Sequence, residues 1–156
     1  MDRALKAIVV PELRTRGFTG SFPHFRRIRP DRIDLVSFHF PRRGGQFVVE
    51  LSQCGPAGIA FEGEEAIPPD KVTVNDTFPG DRFCLRAKAG WRGELAGWRG
   101  KLFVFDRPTY DPPIVSTEAA MEGVCAKTAR TALDAFTREA EPWWEKKAAA
   151  TRTTGG

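Results

Sequence analysis

The chain has 156 residues, of which 41% are hydrophobic and 28% are charged, and its formal net charge is +4. This length suits one domain with a single core, and the composition is that of an ordinary soluble globular protein. No apolar run approaches the roughly 18–20 residues that cross a bilayer, and the first residues lack a secretory signal pattern. We therefore expect a cytoplasmic protein that has no membrane partner.

Cysteine and histidine usage argues against a metal or disulfide scaffold. Cys54, Cys84 and Cys125 are odd in number and far apart, and His24 and His39 are the only imidazoles. Spacings of this kind disfavour both a structural zinc site and a disulfide framework. We expect thiols in a reducing compartment, no cofactor, one domain over residues 1–147 and a flexible tail over residues 148–156.

The chain begins with an amphipathic helix. Its apolar residues recur at helical spacing: Leu5, Ile8, Val9 and Leu13. This pattern predicts a helix over residues 2–16, which Pro11 is expected to kink or to end halfway. Gly17 predicts a left-handed stop, after which Phe18 folds back on Leu13.

Three strand-like runs then follow, over residues 22–29, 33–40 and 46–53. Each is rich in aromatic and β-branched residues, and turn formers separate them at Pro30-Asp31 and at residues 42–45. Such short connections predict antiparallel neighbours and therefore a meander.

The register of this meander follows from matching apolar residues across the strands. Closing the two hairpins symmetrically sets Phe25 opposite Val36, Phe38 opposite Val49, and Arg27 opposite Asp34. One face then forms the core, through Phe25, Val36, Phe38, Phe40, Phe47, Val49 and Leu51. The other face is mixed and polar, and we expect any function there: Phe22, His24, Arg26, Leu35, Ser37, His39, Val48, Glu50 and Ser52.

Beyond this meander the pattern weakens and then resumes. Residues 54–81 are rich in Gly and Pro, with a possible short strand over residues 72–74, and so long a connection is usually either mobile or functional. Alternating and apolar runs predict further strands over residues 82–88 and 101–106.

A long C-terminal helix is predicted to start after Ser116 or Thr117. Its apolar stripe consists of Met121, Cys125, Ala129, Ala132, Leu133, Phe136 and Ala140. Glu141-Pro142 is expected to end or bend this helix. Trp143 and Trp144 are then expected to dock the end of the chain onto the body of the protein.

A short internal repeat lies between the last two predicted strands. Residues 89–95 recur as residues 96–102, and each copy offers a tryptophan and an arginine: Trp91 and Arg92, then Trp98 and Arg99. Both residue types are enriched at binding hot spots, which makes these side chains candidates for contacting a partner protein. A duplication tolerated by a surface loop explains the repeat equally simply, and we favour it.

Several of these motifs resemble a known family. They are Leu13-x-x-x-Gly17-Phe18, Phe25-Arg26-Arg27, Gly45-Gln46-Phe47-Val48-Val49-Glu50-Leu51 and Phe83-Cys84-Leu85-Arg86. In this order they resemble a widespread bacterial family called domain of unknown function 4304, over residues 4 to 106. The resemblance implies a small stand-alone α+β domain and supplies no catalytic residue.

The polar face offers three kinds of chemistry. His24, Ser37 and Glu50 lie in one row across adjacent strands, with His39 as a diagonal neighbour, and this set suggests a Ser-His-Glu hydrolase. His24, His39 and Glu50 also match a two-histidine, one-carboxylate metal set. Alternatively the face is a binding platform, whose rings and guanidinium groups come from Phe22, His24, Arg26, His39, Arg82 and Arg86. A plain polar sheet face is a better interpretation than either kind of catalysis.

We therefore predict an α+β domain, in which an antiparallel sheet of about five strands is covered on one face by an N-terminal and a C-terminal helix. The favoured function is a non-catalytic protein-interaction module, with no catalytic residue and no metal ligand assigned. The alternative is an RNA- or anionic-ligand-binding domain that uses His24, Arg26, Ser37, His39, Glu50 and Arg86. A metal-dependent enzyme is the third interpretation.

Overall fold

A computed structural model describes residues 1–42, 45–86, 103–104 and 118–154. Helix α1 spans Asp2–Thr15 and helix α2 spans Glu118–Thr154. The strands are β1 (Thr19–Ser21), β2 (His24–Ile28), β3 (Ile33–His39), β4 (Gln46–Cys54), β5 (Phe83–Cys84) and β6 (Phe103–Val104). Two 3-10 turns, Val74–Asp76 and Pro79–Asp81, lie between β4 and β5. The predicted second hairpin turn and the Trp-Arg repeat fall partly or wholly outside the described residues.

The described elements form the predicted α+β fold. The strands are antiparallel in the order β1-β2-β3-β4-β5, and β6 pairs with β4 beside β5. Phe25 lies opposite Val36, Arg27 opposite Asp34, and Phe38 opposite Val49, so the predicted register is confirmed. In the described part of the chain, no helix combines the length and the apolar character needed to cross a membrane.

Helix α1 ends as the sequence predicts but is not ended by its proline. Leu13 is buried, Gly17 has φ 84°, and the Phe18 amide donates to the Leu13 carbonyl at 3.0 Å. Pro11 lies inside the continuous helix. Each of the three buried side chains of α1 contributes about 1.5–3 kcal/mol. The sum of the three contributions exceeds the roughly 3 kcal/mol that an interior proline costs.

The first strand of the meander differs from the prediction. Residues 22 and 23 form a turn between β1, which the sequence pattern missed, and β2, which starts at His24. The Phe22 ring therefore leaves the polar face and stacks on Phe38, with ring centroids 5.6 Å apart. Gly20 is required in β1, because it has φ 99° and a Cβ there would lie 2.7 Å from the His24 carbonyl oxygen.

Each face of the sheet is covered. On one face, α1 and α2 enclose the main core, which includes Phe18, Phe25, Val36 and Trp144. Phe40, predicted to lie in that core, is 37% exposed at the end of β3. On the opposite face, residues 55–82 cover a second apolar cluster formed by Ile33, Leu35, Val72 and Val74.

Part of the connection over residues 54–81, for which the sequence shows no clear structure, is packed into this second cluster. Val72 and Val74 are fully buried, although the predicted strand over residues 72–74 does not form and a 3-10 turn starts at Val74. The Thr73 hydroxyl donates to Asp76 at 2.8 Å, which closes that turn. The connection is therefore a packed cover for half of the polar face.

A buried carboxylate ties the first hairpin to α2. Asp34 has no exposed surface, and it accepts hydrogen bonds from Arg27, Arg29 and Arg32 at 2.8 Å each. Arg27 also donates to Glu141 of α2 at 2.7 and 2.9 Å, and Arg32 donates to Glu145 at 2.6 Å. We call these six residues the Asp34 network.

Helix α2 continues through Pro142, so of the two predicted outcomes at Glu141-Pro142, an end or a bend, the end is wrong. The ion pairs of the Asp34 network hold the helix on both sides of the proline, and Trp144 holds it directly afterwards. The Trp144 side chain has no exposed surface, and its indole N–H donates to the Ser52 carbonyl at 2.8 Å. Trp143 stacks on Phe83, with ring centroids 5.6 Å apart, so the predicted docking by the tryptophan pair is confirmed.

We expect Asp34→Asn to lower the free energy of unfolding by about 3–5 kcal/mol, because it leaves the surrounding arginines without their shared buried anion. Chemical denaturation at neutral pH measures this loss. The matched control is Glu12→Gln, which breaks a surface pair with Arg16 at 2.9 Å and should cost less than about 1 kcal/mol. Equal effects of the two substitutions would contradict the role given to Asp34.

Candidate functional site: the polar face of the sheet

The strand register assembles the predicted row of polar residues. His24 of β2 lies opposite Ser37 of β3, and Ser37 lies opposite Glu50 of β4. His39 is two residues further along β3 and therefore points to the same face. Its ring centroid lies 6.5 Å from that of His24. These four residues are the polar row.

Within the polar row, the side chains pair differently from a hydrolytic triad. His24 Nδ1 lies 2.8 Å from the Ser37 hydroxyl, but Ser37 has no exposed surface. Glu50 Oε2 lies 3.1 Å from His39 Nε2, so the carboxylate contacts the other histidine. The Ser-His-Glu interpretation therefore lacks both an accessible nucleophile and a carboxylate that orients its base.

The Glu50 carboxylate is the electrostatic centre of the row. It is 9% exposed, Arg82 approaches its Oε2 to 3.9 Å, and the Cys84 thiol donates to its Oε1 at 3.7 Å. The contact with His39 is the main cause that lowers the pKa of Glu50, and Arg82 and Cys84 act in the same direction against burial. His39 Nε2 is buried and makes no aligned hydrogen bond, although it lies this close to the carboxylate.

His24 is held in its neutral form. Burial is the main cause that lowers its pKa below 6.5, and the nearby His39 and Arg26 lower it further, while Asp76 acts in the opposite direction. A neutral imidazole bonded to a buried hydroxyl stabilises the sheet. Its pairing with Ser37 is sufficient to explain why a polar row is tolerated here.

Arg82 joins the polar row to the segment that covers the sheet. Its guanidinium donates to the Thr77 carbonyl at 2.7 Å and to the Asn75 carbonyl at 3.0 Å, while it also approaches Glu50. The sequence alternation groups Arg82 and Cys84 on one face of the predicted strand over residues 82–88, and the pairing of β5 with β4 then brings both beside Glu50. Asp76 had no such signal, because it lies in a turn whose position depends on packing.

The family model described as "Domain of unknown function (DUF4304)" matches residues 9–106 of the chain. The chain belongs to this family. No curated protein and no solved structure matches this chain. The match to the DUF4304 family includes the whole polar row and ends before α2.

Of the other predicted site residues of this DUF4304 domain, Arg26 lies on the same face as the row, two residues along β2 from His24, whereas Arg86 lies apart from it. Arg26 is half-buried and lies opposite Leu35, and its Nε atom is buried without a hydrogen-bond partner. Arg86 is exposed, and its backbone contacts Glu139 and Arg138 of α2 instead of the histidines. The four repeat residues, Trp91, Arg92, Trp98 and Arg99, lie outside the described residues.

Metal binding finds no support in the polar row. Among the residues that the structure describes, no group of three or more His, Cys, Asp or Glu side chains is arranged to hold a metal ion. One nitrogen of each imidazole is already engaged in the row, His24 Nδ1 with Ser37 and His39 Nε2 beside Glu50.

We expect His24 to titrate below 6.5, and we expect its pKa to rise toward that value in the His39→Gln variant. The native state then binds fewer protons than the unfolded chain, so stability contributed by His24 falls as the pH drops below 6.5. Histidine ring resonances followed by NMR against pH measure the pKa of His24 in the wild-type protein and in the variant. The variant leaves a single histidine to assign.

The control for this titration is Arg86→Gln, which changes an exposed charge outside the row and should leave the His24 titration unaltered. A His24 pKa at or above 6.5 in the wild-type protein, or one that ignores the loss of His39, would contradict the described environment.

Proposed function

We propose that this protein is a non-catalytic interaction module that binds another protein. The observation that carries the proposal is a pair of surface rings, the exposed Phe78 and the half-buried Phe61, which we call the aromatic tip. Phe78 is 66% exposed, and its ring packs edge-on against Phe61 with centroids 5.9 Å apart. Aromatic residues are enriched in the buried cores of protein interfaces.

The aromatic tip is held in place before any partner arrives. Phe78 lies between Thr77, which is 8% exposed, and the 3-10 turn Pro79–Asp81. The Thr77 hydroxyl donates to Val74 at 2.7 Å, and Arg82 holds the Thr77 carbonyl at 2.7 Å. A ring that is already ordered loses less conformational entropy on binding, which favours affinity.

The polar face supports the non-catalytic part of the proposal. His24 contacts Ser37, His39 lies beside Glu50, and the Ser37 hydroxyl is buried, so it is not accessible to a substrate. The partner that fits the aromatic tip is a protein with an apolar pocket for a phenyl ring. We place the protein in the bacterial cytosol, in agreement with Cys54, Cys84 and Cys125, which form no disulfide.

The RNA-binding alternative loses its main physical support. Base stacking requires exposed rings, and Phe22, the aromatic residue assigned to that face, packs against Phe38 on the opposite face. We expect unchanged mobility of labelled single-stranded RNA at low salt. A shift that weakens with salt and in the Arg26→Gln variant would restore that alternative.

A photo-crosslinking amino acid in place of Phe78 should give one discrete adduct with a partner protein in cells, because the aromatic tip is expected to be buried in the complex. Denaturing gels and mass spectrometry of the adduct measure this outcome. The control is the same crosslinker at Lys71, an exposed position of the same segment.

Both labelled proteins should unfold at the wild-type temperature, since neither side chain is buried. Identical adducts from the two positions, or no adduct from position 78 in a folded protein, would refute the role of the aromatic tip.

A further inference from the structure

A cavity lies at a distinct place in the fold, apart from the polar row. It has a volume of about 270 Å³, and it forms where the β2–β3 turn, the end of β4, the second 3-10 turn and the last third of α2 meet. Its uncharged lining includes Gln53, Cys54 and Ala148. Its charged lining consists of Asp31, Arg32, Asp81 and Lys147.

The cavity exists because α2 carries a small residue at the position that faces it. Ala148 is 6% exposed and follows Trp144 by one helical turn, so both residues lie on the face that packs against the sheet. The large Trp144 side chain is completely buried between α2 and the sheet, whereas the methyl group of Ala148, one turn later, leaves the cavity unfilled. A larger side chain at this position would extend into the cavity.

The charged lining is electroneutral but separates its charges into two ion pairs. Arg32 contacts Asp31 at 3.3 Å, and Lys147 contacts Asp81 at 2.6 Å. Two positive and two negative groups give no net attraction for an ion of either sign. A molecule that carries both charges finds a complementary group for each of them.

The Lys147–Asp81 pair is the one that a ligand can enter. The Asp81 side chain is 53% exposed and that of Lys147 is 26% exposed, so water already competes for their contact. In contrast, Arg32 is 7% exposed and belongs to the Asp34 network, which holds it in place. Opening the exposed pair therefore leaves the hairpin and α2 joined.

The uncharged lining points to binding without a chemical step. Burial raises the pKa of the Cys54 thiol to about 11, so the thiol is neutral at physiological pH and is a poor nucleophile.

The size of the cavity limits the size of its ligand. The cavity volume lies below the roughly 300–1,000 Å³ of sites for drug-sized ligands. The cavity is therefore of the right size for a molecule as small as an amino acid.

We propose that this cavity binds a small zwitterion of the free amino acid class, inserted between Lys147 and Asp81. The Lys147 ammonium binds the ligand carboxylate, the Asp81 carboxylate binds the ligand ammonium, and the ligand side chain lies toward Cys54 and Ala148. This site is independent of the aromatic tip and of the partner proposed for it.

Calorimetric titration of the full chain with each standard free amino acid, one at a time, tests the proposal. At least one should bind saturably in the millimolar range. The amine that lacks its carboxylate and the acid that lacks its amino group should each bind about tenfold more weakly or worse, since each loses one charged hydrogen bond. Absence of saturable binding by every amino acid overturns the proposal.

Three variants locate the binding. Lys147→Met should weaken it about tenfold or more, and Ala148→Leu should abolish it by filling the cavity, whereas Lys146→Met changes a neighbouring exposed residue and should have no effect. Should Ala148→Leu fail to fold, the Lys147→Met variant and the two ligand analogues decide. Binding unchanged in Lys147→Met, or equally tight binding of both analogues, overturns the proposal.

Discussion

The Asp34 carboxylate is completely buried near the start of β3, where an unpaired charge would cost several kcal/mol. Three arginines remove that cost, and all three also contact α2: Arg27 and Arg29 reach Glu141, and Arg32 reaches Glu145. The anion in the sheet thus determines which part of α2 must lie above the first hairpin. Helix α2 has to continue past Pro142 for both of its glutamates to reach the arginines.

Arg27 shows why arginine, rather than lysine, serves at the centre of this arrangement. Its guanidinium binds Asp34 and Glu141 through its edge. Its carbon centre also lies 4.6 Å from the Phe18 ring centroid and 5.4 Å from that of Trp144. A planar cation satisfies carboxylates at its edge and aromatic rings at its faces, which a lysine ammonium cannot do at once. The ion network and the aromatic core therefore form one structure.

Local patterns predict the fold more fully than they predict the site. Apolar pairing and the Arg27–Asp34 match are enough to give the strand register, because a slip by one residue reverses every side chain. Glu141 and Glu145 carry no such signal, since they are over a hundred positions away from their partners. The alternation also places His24, Ser37 and Glu50 in one row, but it cannot show that Glu50 pairs with His39.

The cover of the polar face was the largest difference from the sequence prediction. Alternation tells which side chains share a face, but not what lies above them. Residues 55–82 are rich in glycine and proline, so their two buried valines look like isolated apolar residues rather than the centre of a second cluster. For this reason the polar face, where the sequence predicts any functional surface, is half covered.

Because the polar face is half covered, the accessible side chains discussed above belong to the covering segment rather than to the sheet. Phe78 and Asp81 belong to the same turn, in which the Asp81 amide donates to the Phe78 carbonyl at 2.9 Å. Arg82 anchors that turn to Glu50 of the sheet, and Lys147 anchors it to α2. Five consecutive residues, 78–82, therefore connect the aromatic tip, the polar row and the cavity. The Arg82–Glu50 contact thus links the polar row to the segment that carries both Phe78 and Asp81.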